Sequence, residues 1–256
     1  MKLAYIGIDL FYTALDALDR LGCEIAEIFT CETDNETEFN VRVIDFAKRH
    51  GIPYTLNRIT REDFERLAAK GCTAAVCAGY YYKIPVSEEF PIVNIHPSLL
   101  PRGRGSWPMP YAILRREKES GVTVHKIAEG FDTGDILLQE RFFLSKDENL
   151  ETFMEKACAL VPQMMKKLTD NFGELWETAL PQGEGEYLEL PTEKDWTVTP
   201  DMTAAEADLI LRAFYGFECV YKTGEEKITL IRGRAVADAK EKDHRFPLRD
   251  GYIIVK

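Results

Sequence analysis

A run of six small residues, Thr-Ala-Ala-Val-Cys-Ala at positions 73–78, constrains the fold of this chain more than any other segment. It carries no charge and does not alternate polar with apolar residues, which is typical of a strand covered on both faces of a sheet. Similar strand segments alternate along the first half of the chain with segments of helical periodicity. Strands are predicted at residues 3–7, 24–30 and 73–78, and helices at residues 10–21, 41–50 and 60–71. The alternation predicts an α/β fold, with a Rossmann-like, mostly parallel sheet and helices on both faces.

The second half of the chain predicts a smaller unit attached to this sheet. Strands are expected at residues 122–127, 136–144, 218–222, 227–231 and 252–255, and helices at residues 108–116, 150–172 and 203–214. Pro162 is expected to interrupt the longest helix, since proline lacks the backbone N–H that a helix interior uses. Residues 181–190 contain Pro and Gly and predict a linker. We therefore expect a main domain over residues 1–180 and a small C-terminal α+β appendage over residues 191–256, built from a helix and a β-hairpin.

Charge and composition narrow the classes of protein. The 256 residues carry a formal net charge of −11. This disfavours broad binding of nucleic-acid phosphates, because such binding needs clustered Lys and Arg. No apolar run approaches the roughly 20 residues of a membrane helix, and the first residues predict a strand rather than a signal peptide. The six cysteines show no paired spacing, which predicts reduced core thiols in a cytoplasmic protein, and we expect no bound metal.

Three polar residues follow predicted strands and indicate a reactive site. The sequence Asn-Ile-His-Pro-Ser-Leu-Leu-Pro occupies residues 94–101 at the end of an apolar stretch, and Asp132 lies in the loop after the strand at residues 122–127. Strand-end loops are where α/β proteins place their chemistry. Asn94 and His96 are two residues apart along an extended chain, so they point to the same side. An amide donor, a titratable imidazole and a carboxylate that orients it are the parts of an acyl-transfer site.

Taken singly, these residues also have ordinary structural interpretations. Asn before a turn is usually a local backbone cap, and an isolated Asp-Thr-Gly is a turn or a helix cap. His125 lies in the strand that precedes Asp132. It either supports the site or is a sheet-face residue bonded to backbone, and both interpretations stay open.

Several motifs in one order resemble those of the 10-formyltetrahydrofolate-dependent formyltransferases. The shared patterns are Asn-x-His-x-Ser-Leu-Leu-Pro at residues 94–101, Arg-Gly at 104–105, Gly-Val-Thr-Val-His at 121–125 and Asp-Thr-Gly-Asp at 132–135. The interval from His96 to Asp132, 36 positions (132 minus 96), also matches. Nearest in pattern are the methionyl-tRNA formyltransferases and their relatives that formylate amino sugars. The resemblance is good over residues 1–175 and loose over residues 191–256.

The resemblance implies that residues 1–180 are a formyltransferase catalytic domain with Asn94, His96 and Asp132 as its catalytic triad. Asn94 would donate to the carbonyl oxygen as that atom gains negative charge. His96 would either take a proton from the attacking ammonium or polarise the formyl oxygen, while Asp132 orients His96 and relays a proton to the leaving folate nitrogen. The expected cosubstrate is 10-formyltetrahydrofolate.

The resemblance also assigns contacts to the folate and to the acceptor. Folate contacts are expected, largely through backbone hydrogen bonds, from Gly79, Tyr80, Tyr81, Ile84, Gly130 and Phe131. Acceptor contacts are expected from Ser98, Arg104 and Phe11, with Arg104 suited to a carboxylate or phosphate. Residues 79–85 depart from the usual Ala-Tyr-Gly-x-Ile, and residues 7–11 keep only the Gly and Phe of the usual Gly-Thr-Pro-x-Phe. The three consecutive tyrosines at 80–82 either line the folate pocket or pack as surface aromatics on a neighbouring element.

The charge pattern favours a small acceptor over tRNA. In relatives that act on tRNA the loop after the second strand is basic, whereas residues 31–38 here contain four acids and no Lys or Arg. Residues 191–256 contain 11 Lys or Arg and 12 Asp or Glu, and are too few for the basic barrel of those relatives. We predict a small-molecule amine such as an amino sugar carried on a nucleotide, with no membrane partner and with a homodimer left open. The alternatives are a methionyl-tRNA formyltransferase, a formyltetrahydrofolate hydrolase and a non-catalytic folate-binding protein.

Overall fold

The computed structural model describes residues 1–238 and 245–255. They form two compact units. The first unit comprises residues 1–104, 121–142 and 156–187, and the second comprises residues 105–120, 143–155 and 188–256. The division expected from sequence, with a catalytic domain at 1–180, a linker at 181–190 and an appendage at 191–256, stays a prediction.

The first unit is built on a seven-stranded sheet. Its strands are β1 (Lys2–Gly7), β2 (Glu24–Phe29), β3 (Tyr54–Thr55), β4 (Ala74–Ala78), β5 (Ile92–His96), β6 (Glu119–Lys126) and β7 (Ile136–Phe143). Their order across the sheet is β3-β2-β1-β4-β5-β6-β7. The strands from β3 to β5 pair in parallel, and β6 pairs antiparallel to β5. The predicted α/β fold with a mostly parallel sheet is confirmed.

Seven α-helices accompany the strands in the described residues. They are α1 (Tyr12–Arg20), α2 (Val41–His50), α3 (Arg61–Ala69), α4 (Pro108–Leu114), α5 (Leu150–Asp170), α6 (Phe172–Glu177) and α7 (Ala204–Ala213), with short 3-10 helices at Asp9–Phe11 and Glu193–Trp196. Helix α2 ends at His50. The next residue, Gly51, adopts the left-handed conformation, in which its backbone N–H bonds to carbonyls of the last helical turn. Helix α3 begins with a capping box in which Thr60 and Asp63 satisfy each other's backbone N–H groups.

The expected interruption of the long helix at Pro162 is wrong, because α5 continues through that residue. A proline removes one intrahelical hydrogen bond, yet the apolar face of α5 does not stop there. Phe153, Ala157, Val161 and Met164 follow the helical spacing and are all fully buried. Continuous burial on one face therefore outweighs the local loss.

The centre of the sheet is covered on both faces. All five residues of β4 are buried, so side chains that point to opposite sides of the strand are shielded alike. Apolar side chains of β1, β4 and α3, among them Ile6 and Phe64, form one packed cluster. All six cysteines are free thiols, and five of them are buried. The site residues described below thus lie on a rigid support.

The second unit contains more strands than the hairpin and the further strand at residues 252–255 that were expected from sequence. Its strands are β8 (Thr197–Val198), β9 (Cys219–Thr223), β10 (Glu226–Leu230), β11 (Gly233–Val236), β12 (Arg245–Leu248) and β13 (Gly251–Val255). They form two three-stranded sheets in the orders β10-β9-β8 and β11-β13-β12. The expected hairpin is β9–β10, and α7 begins with the expected capping box at Thr203 and Glu206. Strand β8 has two residues and strands β11 and β12 have four each, which is too short for a strand pattern to stand out in the sequence.

None of the helices within residues 1–238 and 245–255 combines the length and the apolar character that crossing a lipid bilayer requires.

Candidate active site

Strand β5 carries two of the predicted catalytic residues, Asn94 and His96. Both lie in the hydrogen-bonded part of the strand rather than in the loop after it. Asn94 is opposite Cys77 of β4 on one side and opposite His125 of β6 on the other. Because β5 is flanked by a strand on each side, the backbone of both residues is held at a fixed register. Alternation along the strand directs Asn94 and His96 to the same face.

Asp132 reaches the site from the loop between β6 and β7. Its backbone has φ +54°, in the left-handed region that Asp adopts more readily than most residues. The turn is closed by a hydrogen bond from Thr133 Oγ1 to the Gly130 carbonyl at 3.0 Å and by one from the Lys126 amide to the Asp135 carbonyl at 2.9 Å. A methyl group on Gly134 would overlap the Lys126 carbonyl, so the loop needs glycine there. This conformation directs the Asp132 carboxylate at β5.

Three polar side chains converge at one carboxylate oxygen of Asp132. Asp132 Oδ1 lies 3.4 Å from Asn94 Nδ2, 3.6 Å from His96 Nδ1 and 3.4 Å from His125 Nε2. The Asp132 side chain is 12% exposed, that of His96 6% and that of His125 1%. The three predicted residues are therefore brought together, and His125 is a fourth member of the cluster. The antiparallel register of β5 and β6, which sequence alone does not give, places His125 beside Asn94.

Backbone carbonyls determine which ring nitrogens carry hydrogen. Nε2 of His96 lies 2.7 Å from the Gly103 carbonyl, and Nδ1 of His125 lies 2.8 Å from the Lys126 carbonyl. A carbonyl oxygen only accepts, so both nitrogens donate. The remaining nitrogens, His96 Nδ1 and His125 Nε2, therefore lie beside Asp132 as hydrogen-bond acceptors when the rings are neutral. His125 Nε2 accepts a hydrogen bond from Asn94 Nδ2 at 3.2 Å, which orients the amide.

Burial sets the protonation of His96. It lowers the pKa of His96 below its usual 6.5, because the charged imidazolium is poorly solvated there. The Asp132 carboxylate and the hydrogen bond to Gly103 act in the opposite direction, while His125 adds to the lowering. The neutral imidazole is therefore the resting form at neutral pH, with Nδ1 available to take a proton.

The loop after β5 supplies the carbonyl that holds His96. Ser98 is buried, and its hydroxyl donates to the Arg102 carbonyl at 2.8 Å, which tightens the turn. Thr123 of β6 donates to the Ser98 carbonyl at 2.7 Å and accepts from the Leu100 amide at 3.2 Å. The Leu100–Pro101 peptide bond is cis. The structure thus gives Ser98 a role in shaping the loop, and its expected contact with the acceptor stays a prediction.

The expected folate loops follow β4 and β6. Ile84 is buried, with Tyr80 and Ile127 packed against the same cluster. An ion pair between Lys83 and Glu129 at 3.7 Å joins the two loops. Gly79, with φ +73°, begins the first loop, and its carbonyl accepts from the Ile8 amide at 2.9 Å.

Each of the three consecutive tyrosines contacts a neighbouring segment. Tyr80 accepts from the Ile59 amide at 3.2 Å, and burial raises its pKa to about 12. Tyr81 is 45% exposed and donates to the Glu38 carboxylate. The Arg58 guanidinium lies 4.2 Å from the Tyr82 ring centroid.

The other predicted binding residues differ in exposure. Phe131, beside Gly130 in the second folate loop, is 53% exposed and is the most accessible apolar side chain of the expected folate contacts. Phe11 is fully buried, and its backbone carbonyl accepts from the Tyr5 hydroxyl at 3.3 Å. Arg104 donates to Gln182 and to the Gly183 carbonyl. Within the described residues no group of three or more His, Cys, Asp or Glu side chains has the arrangement needed to hold a metal ion.

The fold and the site define an α/β protein of Rossmann-like topology with an acid–base cluster of Asn, His and Asp at its strand ends. The formyl transferase family model matches residues 32–169. A methionyl-tRNA formyltransferase of Ehrlichia ruminantium is 32% identical over 187 residues, which is 70% of this chain and 60% of that relative. The chain belongs to the formyl transferase family. It spans about 60% of the length of the curated relatives it matches over the longest stretch.

Two solved structures are similar in fold over the whole chain. HypX from Aquifex aeolicus in complex with tetrahydrofolic acid has a TM-score of 0.72 at 15% identity and covers 100% of this chain and 43% of its own. WlaRD, a sugar 3N-formyl transferase crystallised in the presence of dTDP and 5-N-formyl-THF, has a TM-score of 0.68 at 17% identity and covers 100% of this chain and 97% of its own. At these identities the likeness concerns the fold alone.

Proposed function

We propose that this protein is a 10-formyltetrahydrofolate-dependent N-formyltransferase that formylates the primary amine of a small molecule. The observation that carries the proposal is the convergence of Asn94, His96 and Asp132, in which Asp132 Oδ1 lies 3.4 Å from Asn94 Nδ2 and 3.6 Å from His96 Nδ1. Family membership supports the reaction class. The roles of the individual residues follow from their chemistry.

His96 acts as the base. Its Nδ1 faces the cluster, while its Nε2 is held by the Gly103 carbonyl. Because burial keeps the ring neutral, Nδ1 takes a proton from the amine as the new carbon–nitrogen bond forms. The adjacent Asp132 carboxylate stabilises the imidazolium that results. The proton then leaves through this pair to the departing nitrogen, so the protein ends in its starting state.

Asn94 stabilises the negative charge that formyl transfer places on the carbonyl oxygen. Its Nδ2 makes a 3.2 Å bond to His125 and a longer, 3.4 Å bond to Asp132. The longer bond is the one that a formyl oxygen replaces, while the bond to His125 keeps the amide aimed. Removal of one donor of this kind raises the barrier by about 3 kcal/mol.

The loops after β4 and β6 fit a folate. The Lys83–Glu129 ion pair lies at the surface where the two loops meet, and Phe131 offers an exposed apolar surface beside Gly130. Gly79 and the backbone of residues 130–132 are the groups that would hold the pterin. When bound, 10-formyltetrahydrofolate supplies the formyl group and accepts a proton in its place.

The surface beside these loops favours a small acceptor over a polyanion. Asp34 accepts from the backbone amides of Glu36, Thr37 and Glu38, so the acidic segment at residues 31–38 is an ordered turn. Tyr81 of the first folate loop is hydrogen-bonded to Glu38. This negative segment would repel a phosphate backbone. A sugar 3N-formyl transferase has the same fold, so the fold itself is compatible with an amino sugar as acceptor.

An acceptor panel tests the proposal. The purified protein is incubated with 10-formyltetrahydrofolate and, separately, nucleotide-linked amino sugars, free amino acids, methionine-charged initiator tRNA or no amine, and tetrahydrofolate formation and acceptor mass are followed. We expect tetrahydrofolate to form only with a small amine that gains one formyl group. Turnover on charged tRNA alone would overturn the acceptor class. Formate release without any amine would identify a hydrolase, and absence of turnover with every acceptor would contradict the enzymatic function.

A further inference from the structure

Residues 180–187, of which 181–187 fall in the predicted linker, run across the two loops that complete the active site. We name this segment the strap. At its start, Leu180 pairs with Ile136 of β7 through two backbone hydrogen bonds at 2.8 and 2.9 Å. At its end, the Glu186 carbonyl accepts from the Arg104 amide at 3.2 Å. The strap is therefore anchored beside two loops. One lies between β6 and β7 and carries Asp132 (the Asp132 loop), and the other follows β5 and supplies the Gly103 carbonyl that holds His96 (the His96 loop).

Gln182 is the side chain of the strap that connects the two loops. Its Nε2 donates to the Asp132 carbonyl at 3.0 Å and to the Gly134 carbonyl at 2.6 Å. Its Oε1 accepts from Arg104 Nε at 3.2 Å and Nη2 at 3.0 Å. Carbonyls only accept and a guanidinium only donates, so the orientation of the amide is unambiguous. One half-buried side chain thus makes four hydrogen bonds to residues that flank the catalytic groups.

The backbone of the strap fits closely against the His96 loop. A methyl group on Gly185 would overlap the carbonyl of Pro101, two residues before the Gly103 carbonyl that holds His96. Arg104 also donates to the Gly183 carbonyl at 2.8 Å. Arg104 is therefore tied to the strap, which gives it a structural task separate from the acceptor contact expected from sequence.

We propose that Gln182 is a positioning residue that holds the Asp132 loop, and with it the carboxylate, against His96. The backbone of Asp132 is in the left-handed conformation, which few residues adopt without support. The two carbonyls that accept from Gln182, those of Asp132 and Gly134, belong to the same turn. Gln182 does not contact Asp132 Oδ1, so it acts on the cluster through the loop. The expected effect of Gln182 on kcat rests on the proposed formyl transfer, whereas its expected effect on the position of the Asp132 carboxylate does not.

Gln182→Met tests the proposal, because methionine is neutral and of similar length but donates no hydrogen bond. The His96 ring is titrated by NMR, with the signal assigned from a His96→Gln spectrum. Asp132 raises the pKa of His96 in the intact cluster. We expect the midpoint of the His96 titration to fall in Gln182→Met, because the carboxylate that raises it moves away. We also expect kcat to fall about tenfold, with KM for the folate changed less than twofold.

Gly185→Ala is the second variant, with Gly173→Ala as its control. Gly173 has open space around its Cβ position, so its variant should behave as wild type. Gly185→Ala displaces the strap without touching Gln182 and should reproduce the lower His96 midpoint. An unchanged midpoint in Gln182→Met, with the fold retained by circular dichroism, would overturn the positioning role. If the wild-type protein transfers no formyl group, the titration still decides this proposal independently.

Discussion

Asn94 and His125 lie directly opposite each other on antiparallel strands, and Nδ2 of Asn94 donates to Nε2 of His125 at 3.2 Å. The hydrogen on Nδ1 of His125 is committed to the Lys126 carbonyl, so the ring can only accept from Asn94. His125 therefore determines which way the amide points. The other N–H of Asn94 faces Asp132 and the space where a formyl oxygen would bind.

Replacing His125 with Phe should slow formyl transfer by about fivefold, because Asn94 loses the acceptor that orients it and one hydrogen bond contributes about 1 kcal/mol. His125→Gln keeps an acceptor and should lie closer to wild type. Steady-state kcat on the accepted amine is the measurement. His50→Gln, at an exposed helix end, serves as control and should be neutral. Equal rates in His125→Phe and wild type would contradict the role of His125 in orienting Asn94.

Asp132→Asn should move the titration of His96 to lower pH. Burial already lowers the pKa of His96 below 6.5, and the Asp132 carboxylate opposes that lowering. Asn retains the shape and the tolerance for a left-handed backbone but removes the charge. NMR titration of the ring measures the effect. The sign follows from the charge: without the carboxylate the imidazolium is less stable, so protonation needs a more acidic solution. A midpoint that rises would contradict this assignment.

The same depressed pKa affects stability. Because His96 protonates less readily in the folded state, the unfolded state binds more protons than the folded state below about pH 6.5. The contribution of His96 to stability is therefore highest above that pH and declines as the solution becomes acidic. When His96 is replaced by Gln, the urea midpoint of unfolding should change less with pH over this acidic range.

Glu27→Gln should destabilise the fold by about 1 kcal/mol at neutral pH. Burial acts to raise the pKa of Glu27, but hydrogen bonds from Arg66 and Lys70 outweigh it and lower the pKa. The stabilisation is present above the unfolded value near 4.5 and is lost as pH falls through the folded pKa. Urea unfolding at several pH values should show the difference from wild type shrinking below that range. Asp170→Asn, from an exposed helical pair with Lys166, is the control and should have little effect at any pH.

The sequence predicts the central sheet and the convergence of Asn94, His96 and Asp132, and both follow from local patterns. A buried parallel strand needs an unbroken apolar run, and residues at the ends of neighbouring strands meet at one edge, so β4, His96 and Asp132 could be placed from pattern and motif alone. Helix α2 was likewise predicted with its observed bounds, since its start and its Gly51 stop are local signals.

The remaining features depend on contacts between distant segments. The register that sets His125 against Asn94 depends on how β6 pairs with β5, and no local signal specifies it. Gln182 lies in a segment whose Pro and Gly content predicts a linker, and only its bonds to Asp132, Gly134 and Arg104 reveal its task. The tyrosines at 80–82 likewise contact partners that are distant in sequence, such as Glu38 and Arg58.

The central claim is that His96 accepts the proton released when an amine takes the formyl group. The most direct test compares the rate of tetrahydrofolate formation by wild type and His96→Gln at saturating 10-formyltetrahydrofolate and accepted amine. The account predicts a fall of at least about 100-fold, with folate affinity unchanged and the fold retained by circular dichroism. Equal rates in the two proteins would contradict it.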